Sequence, residues 1–285
     1  RLEDLNCSLG EEITKGVYLV ELNGMPSIAG HFEKRDLLGK IDEMIEVVEP
    51  DYFITIVKIP NDSQIDRLWG MHNTGQTGGT QDKDIDGPEA WNKTTGSKNV
   101  LAAIIDTGID RNHEDLKENM WTNPGEIAGN GKDDDGNGYV DDVHGWDFAN
   151  NDNNPHDDNS HGTHCAGTIG GVGNNGKGVA GVAWNVSMVG IKFLSGSGNG
   201  SSSDAIKSVE YATKIGVDFT SNSWGGGGSS NSLKRVIEEA GKKGIGFIAA
   251  AGNHNGNNDS RPSYPASYEL DNVIAVGAND HNGKK

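Results

Sequence analysis

The stretch LAAIID, Leu101 to Asp106, is five apolar residues followed by a carboxylate. The run is too short for a helix. A Thr-Gly pair bounds it, and it has no polar alternation, as expected of a strand buried on both faces. Working outward, SMVGIKFL (Ser187–Leu194), VDFTSNSW (Val217–Trp224), IGFIAAAG (Ile245–Gly252) and NVIAVGA (Asn272–Ala278) read the same way. Between them lie helical patterns. One runs from Asp204 to Ile215, with Asp204 expected as its N-cap; the other is LKRVIEEAGKKG (Leu233–Gly244), closing on glycine. Apolar strands alternating with helices predict an α/β fold: a parallel sheet with helices on both faces. In such sheets the chemistry gathers at the C-terminal ends of the strands, where Asp106 stands.

Residues 1–60 read differently. GVYLVEL (Gly16–Leu22) predicts a strand, the spacing of Leu37, Leu38, Ile41, Met44, Ile45 and Val48 a helix, and FITIVKI (Phe53–Ile59) a second strand. This is a small β–α–β unit ended by the loop signal Pro60-Asn61-Asp62, with residues 61–285 as the main domain. The 42 glycines among 285 residues imply many tight turns. The net charge of −18 argues against nucleic acid, whose affinity comes from Lys and Arg on phosphates. Nine aspartates and no Lys or Arg fall between Asp133 and Asp158, so half of that charge sits in one window that invites cations. Two cysteines make no disulfide framework, and no apolar run is long enough to span a membrane. The chain begins at Arg1 without Met, so an upstream segment is expected to have been removed or left out.

Three residues stand at element ends where they can converge: Asp106, His161 at the head of HGTHCAGT, and Asn253 after FIAAAG. A carboxylate orients an imidazole, the imidazole takes a proton from a weak nucleophile, and a carboxamide N–H donates to a developing oxyanion. The same stretch permits two other readings. His161, His164 and Cys165 share a helical face that would suit zinc, and Cys165 beside an imidazole is a candidate reactive thiol.

IDTGID (Ile105–Asp110), NSHGTHCAGT (Asn159–Thr168), NSWGGG (Asn222–Gly227) and AAAGN (Ala249–Asn253) resemble, in order, the signatures of subtilisin-like serine proteases. LWGMHNTGQTGG (Leu68–Gly79) and KGVAGVAW (Lys177–Trp184) are similar to further segments of secreted members. The resemblance implies that Asp106 is the triad acid, His161 the base and Asn253 the oxyanion donor. It makes Ser223, Trp224, Gly225 and Gly226 the strand that pairs with an extended polypeptide substrate, and Ala250, Ala251 and Gly252 a pocket wall, with Trp224 either lining that pocket or filling the core. In this match His164 is structural and Cys165 a small buried neighbour of the base.

The family's nucleophilic serine sits in a GTSMA-like segment, and no such segment occurs here; GxSxG is absent too. The expectation is a fragment or truncated form of a protease, inactive by itself through the triad route. The alternatives are a peptide-gripping pseudoenzyme and a calcium-dependent structural protein.

KDDDGNGYVDD (Lys132–Asp142) carries the spacing of a calcium loop. Asp133, Asp135 and Asn137 supply side-chain oxygens, Tyr139 a carbonyl and Gly138 the turn, with Asp141 or Asp142 completing the shell; His144 stands where glutamate is usual, and the alternative is a solvated acidic loop. The resemblance adds Asp115 with Asn175 and Asp62 as one calcium site, and Asp147 with Asp152 as another. It also implies that residues 1–60 are a pro-segment that blocks the cleft of a secreted, monomeric zymogen.

Overall fold

A computed structural model of the chain describes residues 7–15, 17–22 and 58–285. The chain divides into two compact units, residues 1–56 and 57–285. In the first, β1 (Cys7–Thr14) and β2 (Val17–Leu22) pair as an antiparallel hairpin. Strand β2 was expected and β1 was not. The helix expected over 37–48 and all but the last two residues of Phe53–Ile59 lie outside the described residues.

The second unit carries a six-stranded sheet in the order β4-β5-β3-β6-β7-β8, every neighbouring pair parallel. Its strands are β3 (Gly96–Asp106), β4 (Gly145–Asp147), β5 (Asn185–Lys192), β6 (Phe219–Asn222), β7 (Gly246–Ala250) and β8 (Val273–Val276). The helices are α1 (Gly87–Lys93), α2 (His161–Gly170), α3 (Ser202–Ile215) and α4 (Asn231–Lys242). Helix α1, opened by Pro88, and the three-residue β4 had no periodicity long enough to announce them.

Strand β3 explains why both faces are covered. Ala103 and Ile105 point into a cluster with Val209 and Ala212 of α3 and Val236 and Ile237 of α4. Ala102 and Ile104 point the other way, onto Ala166 of α2 with Val186 and Met188 of β5. Period-two alternation thus feeds two cores, which is why the run shows no polar residue. Each such burial stabilises by roughly 1.5–3 kcal/mol for a Val or Ile side chain.

Helix α3 corrects one expectation. Its N-cap is Ser201, whose hydroxyl accepts from the Asp204 N–H at 3.1 Å. Asp204 is the third helical residue and its carboxylate accepts from the Ser201 hydroxyl, where a capping box would use the Ser201 backbone N–H. The helix ends on Gly216 at φ 73°, a left-handed position that glycine takes without strain. Among the described residues no helix is long and apolar enough to cross a membrane.

Candidate active site

Register places three strand ends side by side. Asp106 of β3 lies opposite Lys192 of β5, and Lys192 lies opposite Asp147 of β4. Asp106 is the last residue of β3, and His161 is the first of α2. The imidazole Nδ1 and the Asp106 Oδ1 are 2.7 Å apart. The Asp106 side chain is 1% exposed and that of His161 49%, so a buried carboxylate holds one ring edge while the other reaches solvent. Asp106 Oδ1 also accepts from the Thr107 N–H at 2.7 Å. Its Oδ2 is buried and has no partner among the described residues. A buried carboxylate so incompletely bonded is costly, and the imidazole is the group placed to compensate it.

Two glycines make the approach feasible. A Cβ on Gly162 would strike the Gly108 carbonyl oxygen, and Gly108 itself sits at φ 104°. Helix α2 therefore comes against the end of β3 at its second residue, which sets His161 beside Asp106.

The other predicted residues fall into distinct places. Asn253 follows β7 by three positions and is exposed; its carboxamide has no partner among the described residues. Ala250 ends β7, Ala251 is half-buried, and Gly252 takes φ 103°. Ser223 to Gly226 continue beyond β6 without joining the sheet, and the Gly226 N–H donates to the Tyr264 carbonyl at 3.1 Å. Trp224 packs edge-on to Phe193, ring centroids 4.9 Å apart, and to Phe247, so much of the indole fills the core.

His164 is exposed, while Cys165 Sγ lies 3.9 Å from His161 Nδ1. Cys165 is half-buried rather than buried. Burial pushes its thiol up, only partly offset by a hydrogen bond with Ser223, and the Asp106 charge raises it further. An upward-shifted thiol is a poor nucleophile, which weighs against the reactive-cysteine reading.

The candidate calcium residues separate into three groups. Asp62 and Asp115 are buried, each with 2% exposure. Asp62 accepts from the Asn174 N–H at 2.6 Å, and Asp115 accepts from Asn175 Nδ2 at 2.8 Å and from the Val179 N–H at 2.8 Å. One loop thus joins all three predicted residues. In the acidic loop, Asp133, Asp135 and Glu126 bring carboxylate oxygens within 4.8 Å of one another. Glu126 was not anticipated; its Oε2 is buried without a partner among the described residues. Asn137 Nδ2 donates to Asp135 and to Asp142. Asp142 is fully buried and accepts from the Tyr211 hydroxyl at 2.5 Å. Burial pushes its carboxyl up, with the Tyr211, Asn137 and Asn123 hydrogen bonds opposing. Tyr139 packs at a tilt against Trp146 and edge-on against Phe148 and Tyr211, and its N–H donates to Asn137 Oδ1. Asp141 is turned elsewhere: at φ 53° its carboxylate accepts from the Asn130 and Gly131 N–H groups. In the third group, Asp147 and Asp152 are joined by paired backbone hydrogen bonds, but the Asp147 carboxylate accepts from Asn150 and the Asp152 carboxylate from the Asn154 N–H.

Sequence reasoning also missed Asp157, Thr107 and Lys192. Asp157 announces itself only as an N-cap-type residue shortly before a helix. Lys192 is 1% exposed, and its ammonium donates to the carbonyls of Thr107 and Leu194 and to Asp158. Nothing in a strand pattern marks such a lysine as buried.

A family model described as the subtilase family matches residues 97–285. The chain is 37% identical over 201 residues to thermitase of Thermoactinomyces vulgaris, covering 70% of this chain and 62% of that protein. It is 35% identical over 237 residues to the thermophilic serine proteinase of Bacillus sp. strain AK1, covering 83% of this chain and 50% of that one. It is also 38% identical over 250 residues to the halolysin-like extracellular serine protease Nep of Natrialba magadii, covering 87% and 40%. The chain therefore spans about two-fifths to three-fifths of the length of these relatives. Among solved structures, a cold adapted subtilisin-like serine proteinase superposes with TM-score 0.53 at 30% identity, covering 75% of this chain and 65% of that one. The matched segment begins with β3, the strand that ends in Asp106, and takes in every strand of the parallel sheet: this chain belongs to the subtilase family.

Proposed function

We propose that the protein is a subtilisin-like serine endopeptidase acting on extended polypeptides, secreted and stabilised by calcium, with residues 1–60 as its inhibitory pro-segment. The observation that carries the proposal is the 2.7 Å contact between a carboxylate buried to 1% exposure and a half-exposed imidazole at the end of a parallel sheet. Asp106 fixes the ring so that its free nitrogen faces outward. His161 removes the proton from a serine hydroxyl as that oxygen attacks the peptide carbonyl, then delivers it to the leaving amine. Asn253, exposed just beyond β7, donates to the oxyanion that forms. No serine within residues 1–285 stands in a nucleophile segment of the family type, so the serine served by His161 is one these residues do not include.

Calcium fits two places by the chemistry of the donors. Hard oxygen ligands from Asp62, Asp115 and Asn175 would hold one ion; Glu126, Asp133 and Asp135 would hold another. The buried Glu126 Oε2, without a partner among the described residues, and the mutual approach of three carboxylates support the second. Bound calcium would neutralise that repulsion. Secretion is supported by the likeness to an extracellular protease.

The test is fluorophosphonate labelling of the full-length native protein, read by intact mass. The expected result is one adduct, lost in His161→Ala. An unlabelled protein that still binds peptides would replace the enzyme reading with that of a binding module.

A further inference from the structure

Helix α2 starts without its own cap. Ser160, its N-cap residue, lies at φ 86° and its side chain accepts no cap hydrogen bond. The first turn of any helix leaves four N–H groups without helical partners. Here they are collected from outside. Asp157 Oδ1 accepts from the N–H groups of Asn159 (2.9 Å) and Ser160 (3.0 Å), and Oδ2 from the Thr163 N–H (2.9 Å) and hydroxyl (2.6 Å). The Thr107 hydroxyl donates to Asp157 Oδ1 at 2.8 Å and accepts from the Gly162 N–H at 2.9 Å. Thr107 is the residue after Asp106, and its N–H donates to Asp106 Oδ1. One carboxylate, 8% exposed, thus receives five hydrogen bonds from both sides of the Asp106–His161 contact.

We infer that Asp157, acting through the Thr107 hydroxyl, is the positioning residue of the Asp106–His161 pair. It clips the start of α2 to the end of β3 and so sets the distance and angle at which the carboxylate meets the imidazole. Asp157 touches no reacting atom. Lys192, bonded to the Thr107 carbonyl and to Asp158, secures the same turn from the β5 side. Burial raises the Asp157 carboxyl, but the Thr163 hydroxyl and the three N–H donors outweigh it and hold the group below its ordinary value, so it keeps its charge. This role rests on the reading of His161 as the base, and it can be tested without turnover.

The experiment is nuclear magnetic resonance of the full-length native protein labelled with ¹⁵N-histidine. It follows the low-field Nδ1–H of His161, assigned by its loss in His161→Gln. In Asp157→Asn and in Thr107→Val, exchange of this proton with water should accelerate about tenfold or more, because the anchored end can now open. Thr107→Ser, which keeps the hydroxyl, should restore the wild-type rate. An Asp157→Asn protein that is less stable to heat but whose proton exchanges at the wild-type rate would overturn the proposal and leave Asp157 as a helix cap only. Should Asp157→Asn not fold, the near-isosteric Thr107→Val decides by the same criterion. Absence of the low-field proton in the wild type would instead overturn the base reading, and the positioning role with it.

Discussion

Two acidic regions of this molecule solve the same electrostatic problem in opposite ways. Around the start of α2, Asp157 is buried and saturated by N–H and hydroxyl donors, which supply a fixed partial positive charge. In the loop from Glu126 to Asp142, carboxylates approach one another within 4.8 Å, and Glu126 Oε2 has no donor among the described residues. The carboxyl groups respond accordingly. Asp157 is held below its ordinary value, whereas Asp142 is pushed above it by burial, against the hydrogen bonds of Tyr211, Asn137 and Asn123, with Asp135 adding repulsion. The first region is finished by the protein; in the second, Asp133 and Asp135 also accept from N–H groups, and what sets it apart is the mutual approach of three carboxylates and a buried Glu126 Oε2 without a partner among the described residues. A count of aspartates cannot tell them apart, because the difference lies in how closely the folded loop brings carboxylates together.

The sharpest way to break the comparison is to remove charge from one region and watch the other. Asp106→Asn keeps the volume and removes the charge facing His161. Turnover in the full-length protein should fall by about four orders of magnitude, the scale seen when a triad acid becomes an amide. Its calcium response should not change. Peptide hydrolysis rates and melting temperatures with and without calcium check both halves, and a variant that loses its calcium response would show that the two regions are coupled.

Calcium removal is the next largest effect. A ligand held at about a hundredfold over its Kd stabilises by ~2.7 kcal/mol. For a domain of about 230 residues that is a fall in Tm of about 5–10 °C on chelation. Asp115→Asn should remove much of that fall by abolishing binding at one site.

Asp157→Asn should cost ~2–3 kcal/mol at neutral pH, the scale of charge-assisted hydrogen bonds, with calcium making no difference to that loss. The pH dependence has a definite sign. The folded carboxyl lies below the ordinary value of 3.8, so folding favours the charged form. That stability is present above 3.8 and is lost as pH falls through the folded value. The gap between wild type and Asp157→Asn should therefore narrow on acidification below about pH 4, which equilibrium unfolding at stepped pH will show.

The sheet was legible because its strands are buried on both faces. LAAIID and its counterparts are apolar without alternation, and alternate residues of β3 do feed separate cores. Asp106 and His161 were legible because each stands close to a glycine, Gly108 and Gly162, that no larger residue can replace where α2 meets β3. Ser201 was misassigned in favour of Asp204, three residues on, because serine and aspartate belong to the same class of capping residue. Glu126, Thr107 and Lys192 were hidden for a different reason. Thr107 meets Asp157 and Gly162 only because α2 packs on the end of β3, Lys192 meets Thr107 only through the register of β3 with β5, and Glu126 meets its carboxylate partners only where the acidic loop folds back.

The smallest effect sharpens the comparison most finely, because it falls inside the acidic loop itself. Glu126→Gln removes a charge from the three facing carboxylates and should weaken calcium binding by about tenfold, the scale for disturbing a ligand or its support. Asp141 is equally acidic and within the loop motif, yet its carboxylate already accepts from the Asn130 and Gly131 N–H groups at 3.1 and 2.9 Å. In that respect it is a local copy of Asp157. Asp141→Asn should then cost about 1 kcal/mol of stability through the turn it caps, while changing calcium affinity far less than Glu126→Gln does. Isothermal titration of the two variants decides it. If Asp141→Asn proves the more damaging to calcium, the Asp141 side chain must swing from its backbone donors to the ion, and membership of the facing carboxylate group would no longer mark which residues hold it.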